Sequence, residues 1–178
     1  MDTKEIILLL MTSPPLFSSS LRRRAESRGE EDQVGNVNYF FREKGSFVIS
    51  TDPRKLDIDV VFGFLVQAKW WPELTSESLE RALRHSLCFS LKESGRQIGF
   101  ARIITDFVTY AYLCDVYIVE ERRGRGLGTW LIRSVLEHPD LKNLKRVSLI
   151  THHAQDFYRG LGFCFLPDCN CYMEAWRR

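Results

Sequence analysis

A glycine-studded turn, EERRGRGLGTWLIR over residues 120–133, joins a β-rich run to an apolar helical stretch, and it constrains the fold more than any other segment. Glycine at a helix start is conformationally expensive, so it is retained where the backbone needs a positive φ or a ligand must come close. The first N–H groups of a helix have no intrahelical partner, and with the helix dipole they form an anion site. Glycines remove the Cβ atoms that would hold a phosphate away, and arginines add charge-assisted contacts. The stretch therefore suits a pyrophosphate; the alternative is a tight turn that only packs helix against strand. On its N-terminal side lies TYAYLCDVYIV (109–119), and on its C-terminal side Leu127, Trp130, Leu131, Val135 and Leu136 recur at helical spacing.

Two common phosphate motifs do not fit. A P-loop places Lys and then Ser or Thr after its last glycine, whereas Thr129 and Trp130 follow Gly128. A dinucleotide fingerprint spaces its glycines Gly-x-Gly-x-x-Gly and sets an acid at the end of a second strand. Here Gly124, Gly126 and Gly128 alternate, and Glu137 and Asp140 are not at a strand end.

The surrounding periodicity predicts a single α/β domain with a mixed sheet, in the order β-α-α-β-β-β-α-β-α-β-β. SFVIS (46–50) reads as a strand, and Asp57 caps a helix that carries Ile58, Val61, Phe62, Leu65 and Val66 on one stripe. KWWPEL (69–74) is a loop, and Thr75 and Ser76 open a second helix with Leu79, Leu83 and Leu87. LCFSLKE and QIGFARIITD form a hairpin around SGR (94–96). RVSLIT (146–151) is a strand, HHAQDFYRGLG (152–162) a short helix, and FCFL and CYMEAW closing strands. Residues 1–44, rich in Ser, Pro and charge, read as a mobile or loosely attached N-terminal tail, and residues 45–178 as the domain.

The chain of 178 residues is long enough for one real core, and 44% of it is apolar. A net charge of +2 is too mild to argue for nucleic acid, and no apolar run is long enough to span a membrane. The five cysteines Cys88, Cys114, Cys164, Cys169 and Cys171 read as buried reduced thiols of a cytoplasmic protein. Arg22, Arg23 and Arg24 after a serine run hint at a transit peptide, but the acidic residues at 2, 5 and 30–32 weigh against it. His152 and His153 with the C-terminal cysteines lack zinc-ligand spacing, so no metal is expected.

RRGRGLGTWLI resembles the acetyl-CoA signature of the GNAT N-acetyltransferase superfamily, Arg/Gln-x-x-Gly-x-Gly/Ala, through Arg123, Gly126 and Gly128. AQDFYRGLGF (154–163) resembles the second signature of that family, an alanine before an aromatic–Tyr pair and then Gly-Phe. The two lie one helix and one strand apart, as in the family, and the resemblance covers residues 46–176. GFARIITD, CDVYIV and LITHHA also resemble a bacterial-type subgroup. One departure is Thr151, where the family often has Asn.

The resemblance implies an acetyl-CoA-dependent N-acetyltransferase. Backbone N–H groups of Arg123, Gly124, Arg125, Gly126, Leu127, Gly128 and Thr129 would hold the CoA pyrophosphate. Pantetheine would lie along the strand near Ile118 as an added strand, in a gap where a strand pair splays. Tyr158 matches the family tyrosine that protonates the CoA sulfur. Asp115, the one acid inside its strand, is a candidate for the base or for binding a cationic acceptor, or else a structural carboxylate bonded to backbone or arginine. By alternation it shares a face with Tyr117 and Val119, opposite Tyr112 and Cys114. Trp70, Trp71 and Glu73 are candidates for the acceptor wall. The acceptor is a small-molecule or peptide amine, with no nucleic acid or membrane partner expected and homodimerisation left open. A catalytically silent CoA-binding or scaffold domain of the same fold is the alternative.

Overall fold

In the computed structural model, residues 39–68, 71–167 and 172–175 are described. Six strands run in sequence order across one sheet: β1 (Phe41–Lys44), β2 (Phe47–Ser50), β3 (Leu87–Glu93), β4 (Arg96–Thr105), β5 (Tyr110–Ile118) and β6 (Arg146–Ser148). The first five pair antiparallel and β6 joins β5 parallel, so the sheet is mixed. The helices are α1 (Ile58–Ala68), α2 (Ser76–Arg84), α3 (Leu127–Leu136) and the short α4 (Gln155–Arg159).

The local signals explain most of these elements. Asp57 Oδ1 accepts from the Val60 N–H at 3.1 Å and opens α1. Thr75 and Ser78 exchange side-chain and backbone hydrogen bonds in a capping box that opens α2. In α1, Val61 and Leu65 are buried while Ile58 and Val66 lie at the exposed edge of the stripe.

The sheet carries a core on each face. On one, Phe89, Leu91, Ala101, Ile103 and Leu113 meet Leu127, Leu131, Ile132 and Val135 of α3. On the other, Phe100 and Tyr117 lie against Val61 and Leu65 of α1 and Leu79 of α2. Each Leu, Ile, Val or Phe side chain among them that is removed from water contributes about 1.5–3 kcal/mol. Tyr117 stacks on Phe64 at 4.0 Å, its hydroxyl accepts from Gln97 Nε2 at 3.1 Å, and burial pushes its phenol up to about 12.

The structure differs from the sequence expectations at five points. The tail boundary at 44 cuts through a hairpin, because β1 pairs with β2 from Phe41↔Ser50 to Lys44↔Phe47. Residues 1–38 lie outside the described residues. The closing strands over FCFL and CYMEAW do not form where they are described: 163–167 and 172–175 have no regular structure. The strand predicted over 146–151 stops at Ser148, and the helix predicted over 152–162 spans only Gln155–Arg159. Cys88 and Cys114 are half-buried free thiols, but Cys164 is exposed, and Cys169 and Cys171 lie outside the described residues.

Two positions yield measurable consequences. A Cβ at Gly99 would meet Ile118 Cδ1 at 2.6 Å and the Tyr117 carbonyl oxygen at 3.1 Å. Gly99→Ala therefore overpacks the β4–β5 contact and lowers unfolding free energy by about 1–3 kcal/mol, read from urea titration. His138 is buried, its ring 4.9 Å from that of Phe40 and 5.5 Å from that of Phe89. Burial pulls its pKa down, opposed by Asp140. The unfolded chain then binds more protons than the native one below about pH 6.5, so stability falls as pH drops through that value. His138→Leu should flatten the acid limb of the urea-midpoint profile; an unchanged limb assigns that loss to other groups.

Candidate active site

The turn after β5 sets the geometry. A 3-10 turn, Glu120–Arg122, is followed by Gly124 at φ 72° and Gly126 at φ 74°, the latter being the residue that caps α3. No other atom lies within 4 Å of a Cβ built at either glycine, so the left-handed backbone, rather than crowding, calls for glycine there. The cap carries no side-chain hydrogen bond, and the first helical bond runs from Trp130 N to Gly126 O at 3.0 Å. Among the described residues no group accepts from the backbone N–H groups of residues 124–129. These donors and the positive end of a ten-residue helix thus point to one place.

The arginines divide their work. Arg122 Nε pairs with Glu93 Oε2 at 2.5 Å, tying the turn to the end of β3. Arg123 Nε donates to the Ile118 carbonyl oxygen at 3.0 Å and braces the end of β5. Arg125 is exposed and has no side-chain partner among the described residues, which leaves its guanidinium available to an anion.

β6 accompanies β5 for three residues only: Tyr110↔Arg146, Ala111↔Val147 and Tyr112↔Ser148. The Tyr110 hydroxyl also bonds the Ser148 hydroxyl at this junction. From Leu113 to Ile118, β5 keeps β4 as its neighbour and its other edge has no strand partner among the described residues. The open edge ends at the glycine turn. A Cβ placed on Gly128 would come within 3.5 Å of the Phe157 ring and 3.8 Å of Ile118 Cγ1. The end of β5, the start of α3 and the helix α4 thus converge.

Tyr158 sits on α4 with its ring buried, edge-on to Phe157 at 5.0 Å and to Phe163 at 5.6 Å. Its hydroxyl has no hydrogen-bond partner among the described residues and is not fully sealed from solvent. Burial pushes its pKa up, which keeps the phenol protonated at neutral pH. Thr151 Oγ1 accepts from the Ala154 N–H at 3.1 Å and so orders the turn that leads into α4.

Asp115 is where simple alternation fails. It has φ 52°, and the β4–β5 register slips beside it: Phe100 faces Tyr117, but Arg102 faces Cys114. Phe100 and Arg102 lie on one face of β4, so Cys114 and Tyr117 share a face instead of opposing each other. The Asp115 carboxylate accepts from Arg102 Nε at 2.5 Å, which is the arginine-bonded alternative. Burial opposes the charge on Arg102, but its neighbours, Asp115 foremost, together outweigh it and hold the guanidinium pKa up. Sequence reasoning missed Arg102. The available signal was a lone arginine in the apolar strand QIGFARIIT, beside a strand holding a lone acid.

The remaining candidates lie in the α1–α2 loop or outside the described residues. Trp71 is half-buried and Glu73 exposed in the α1–α2 loop. Among the described residues neither makes a hydrogen bond or ion pair to Asp115, Tyr158 or the glycine turn. Trp70 lies outside the described residues.

Comparison with known proteins places this geometry in a family. A model of the Acetyltransferase (GNAT) family matches residues 38–163. A Gibberella zeae protein assigned as an acetyltransferase is 35% identical over 129 residues, 61% of this chain and 73% of its own. GCN5-related N-acetyltransferase 1, chloroplastic, of Arabidopsis thaliana is 24% identical over 88% of this chain and 78% of its own. A crystal structure of a Xanthomonas campestris pv. campestris protein, assigned to the GNAT family as an acetyltransferase, superposes with a TM-score of 0.70. It is 39% identical and covers 74% of this chain and 93% of that one. The glycine turn, the half-open β5 edge and α4 all fall within the matched residues, and the chain belongs to the Acetyltransferase (GNAT) family.

Proposed function

We propose that the protein moves an acetyl group from acetyl-CoA to a primary amine of a small molecule or peptide by direct transfer. The convergence of three elements carries this reading: unpaired N–H groups at the start of α3, the strandless edge of β5, and a buried phenol on α4. CoA supplies the acyl group as an activated thioester.

The N–H groups from Arg123 to Thr129 that have no internal partner, with Arg125, are suited to hold the pyrophosphate. Arg123 N itself donates to Glu120 O at 3.1 Å, so its contribution narrows to bracing Ile118. The free edge of β5 can take pantetheine amides as an added strand takes its neighbours. Tyr158 holds a proton for the departing sulfur: a phenol, normally near pKa 10 and here raised, remains a donor at neutral pH and suits a thiolate. Asp115, already paired with Arg102, is better placed to bind the amine than to act as a free base.

No helix among the described residues is long and apolar enough to cross a membrane. The cytoplasm competes as the site of action with the chloroplast, the compartment named for the Arabidopsis relative.

Two variants test the reading. Tyr158→Phe should bind CoA as the parent does in calorimetry while kcat for acetyl transfer falls about a hundredfold. Undiminished turnover removes the acid role. Gly126→Glu strains a left-handed position by about 1–2 kcal/mol and sets a carboxylate against the pyrophosphate. It should abolish CoA binding, and retained affinity would place CoA elsewhere. Saturable CoA binding without acetylation of any amine would mark a silent domain.

A further inference from the structure

The Arg102–Asp115 pair is almost buried and incompletely bonded. The two side chains are 11% and 14% exposed, yet a single hydrogen bond joins them, from Nε to Oδ2. Arg102 Nη1 donates to Ser86 Oγ at 3.2 Å, just beyond the end of α2. Nη2 of Arg102 and Oδ1 of Asp115 have no partner among the described residues, and neither is sealed from solvent. Desolvating two charges is repaid only when their remaining donors and lone pairs are satisfied, and Arg–carboxylate pairs usually close both prongs of the fork. A pair left open in this way presents one charged donor and one charged acceptor side by side.

The two thiols beside the pair add no charge. Cys88 and Cys114, which flank Arg102 on the neighbouring strands, have thiols pushed up to about 12 by burial and stay neutral. Asp115 lies on the stretch of β5 that β6 leaves bare.

We infer that the Arg102–Asp115 pair selects an acceptor that carries an anionic group next to its primary amine, the pattern of a free α-amino acid. Oδ1 of Asp115 takes the amine and Nη2 of Arg102 takes the carboxylate. A diamine leaves Nη2 unmet and brings a second cation beside Arg102. An amine whose neighbouring carboxylate is tied up as an amide loses the charged contact. This inference rests on the acetyltransferase reading above and names the acceptor class of the same site.

The test compares free α-amino acids with their own amides and with the amines left after removal of the carboxylate, by thiol release from acetyl-CoA. CoA binding is measured in parallel by calorimetry. The expected result is kcat/KM at least about tenfold higher for each amino acid than for its amide or amine, a difference carried mainly by KM. Arg102→Gln should collapse that ratio towards one, and Arg102→Lys, which keeps the charge without the fork, should retain part of it. Equal use of amides or plain amines by the parent overturns the inference and leaves the acetyltransferase reading intact. So does an Arg102→Gln variant that slows every acceptor alike with the ratio preserved, because that marks a structural strut. Should Arg102→Gln fail to fold, the parent's ratio across the panel still decides. CoA binding with none of the acceptors acetylated also overturns it, and absence of CoA binding removes both readings.

Discussion

The parting of β5 from β6 after three paired residues is the constraint on which the rest depends. A strand in the middle of a sheet uses both edges, and one at the border exposes one. β5 does both along its length. Its first third is locked between β4 and β6, and its last two-thirds has β4 as its one strand neighbour among the described residues. The open edge is backed by a rigid sheet, which gives it a fixed direction and spacing of donors and acceptors. Because the turn into α3 starts where that edge ends, the helix N-terminus faces the same space.

Small contacts hold this arrangement in place. Arg123 clamps the last carbonyl of β5, and Arg122 fastens the turn to β3. The second is a partly exposed ion pair worth about 0–1 kcal/mol, so it orients the turn more than it stabilises the fold. The stability comes from the two apolar layers, one under α1 and α2 and one under α3. Division of labour follows: the layers supply rigidity, and the polar contacts at the turn aim the backbone.

Much of this was readable in the residues, and the exceptions have physical causes. Asp57, Thr75 and the Gly-x-Gly-x-Gly turn declare their roles through local chemistry, so α1, α2 and α3 start where expected. The hairpin of β3 and β4 follows from alternation around Ser94–Gly95. FCFL has the composition of a strand, but a strand also needs a neighbour, and pairing is decided at long range. Asp115 misled because period-two reasoning assumes an unbroken register; an aspartate in a left-handed conformation inserts one residue and reverses the facing of what precedes it. Arg102 was invisible for a related reason, since its importance lies in a partner on the next strand.

The close approach at Gly99 has a mechanical consequence. The missing Cβ makes room for the side chain of Ile118, and Ile118 in turn lies against the first turn of α3. Positions 99 and 118 therefore share one space: a Cβ at 99 is accommodated only if the Ile118 side chain shifts, and that side chain borders the first turn of α3. A change at that contact is passed on to the junction of strand and helix, so the spacing of the sheet and the seat of α3 are coupled through a single side chain.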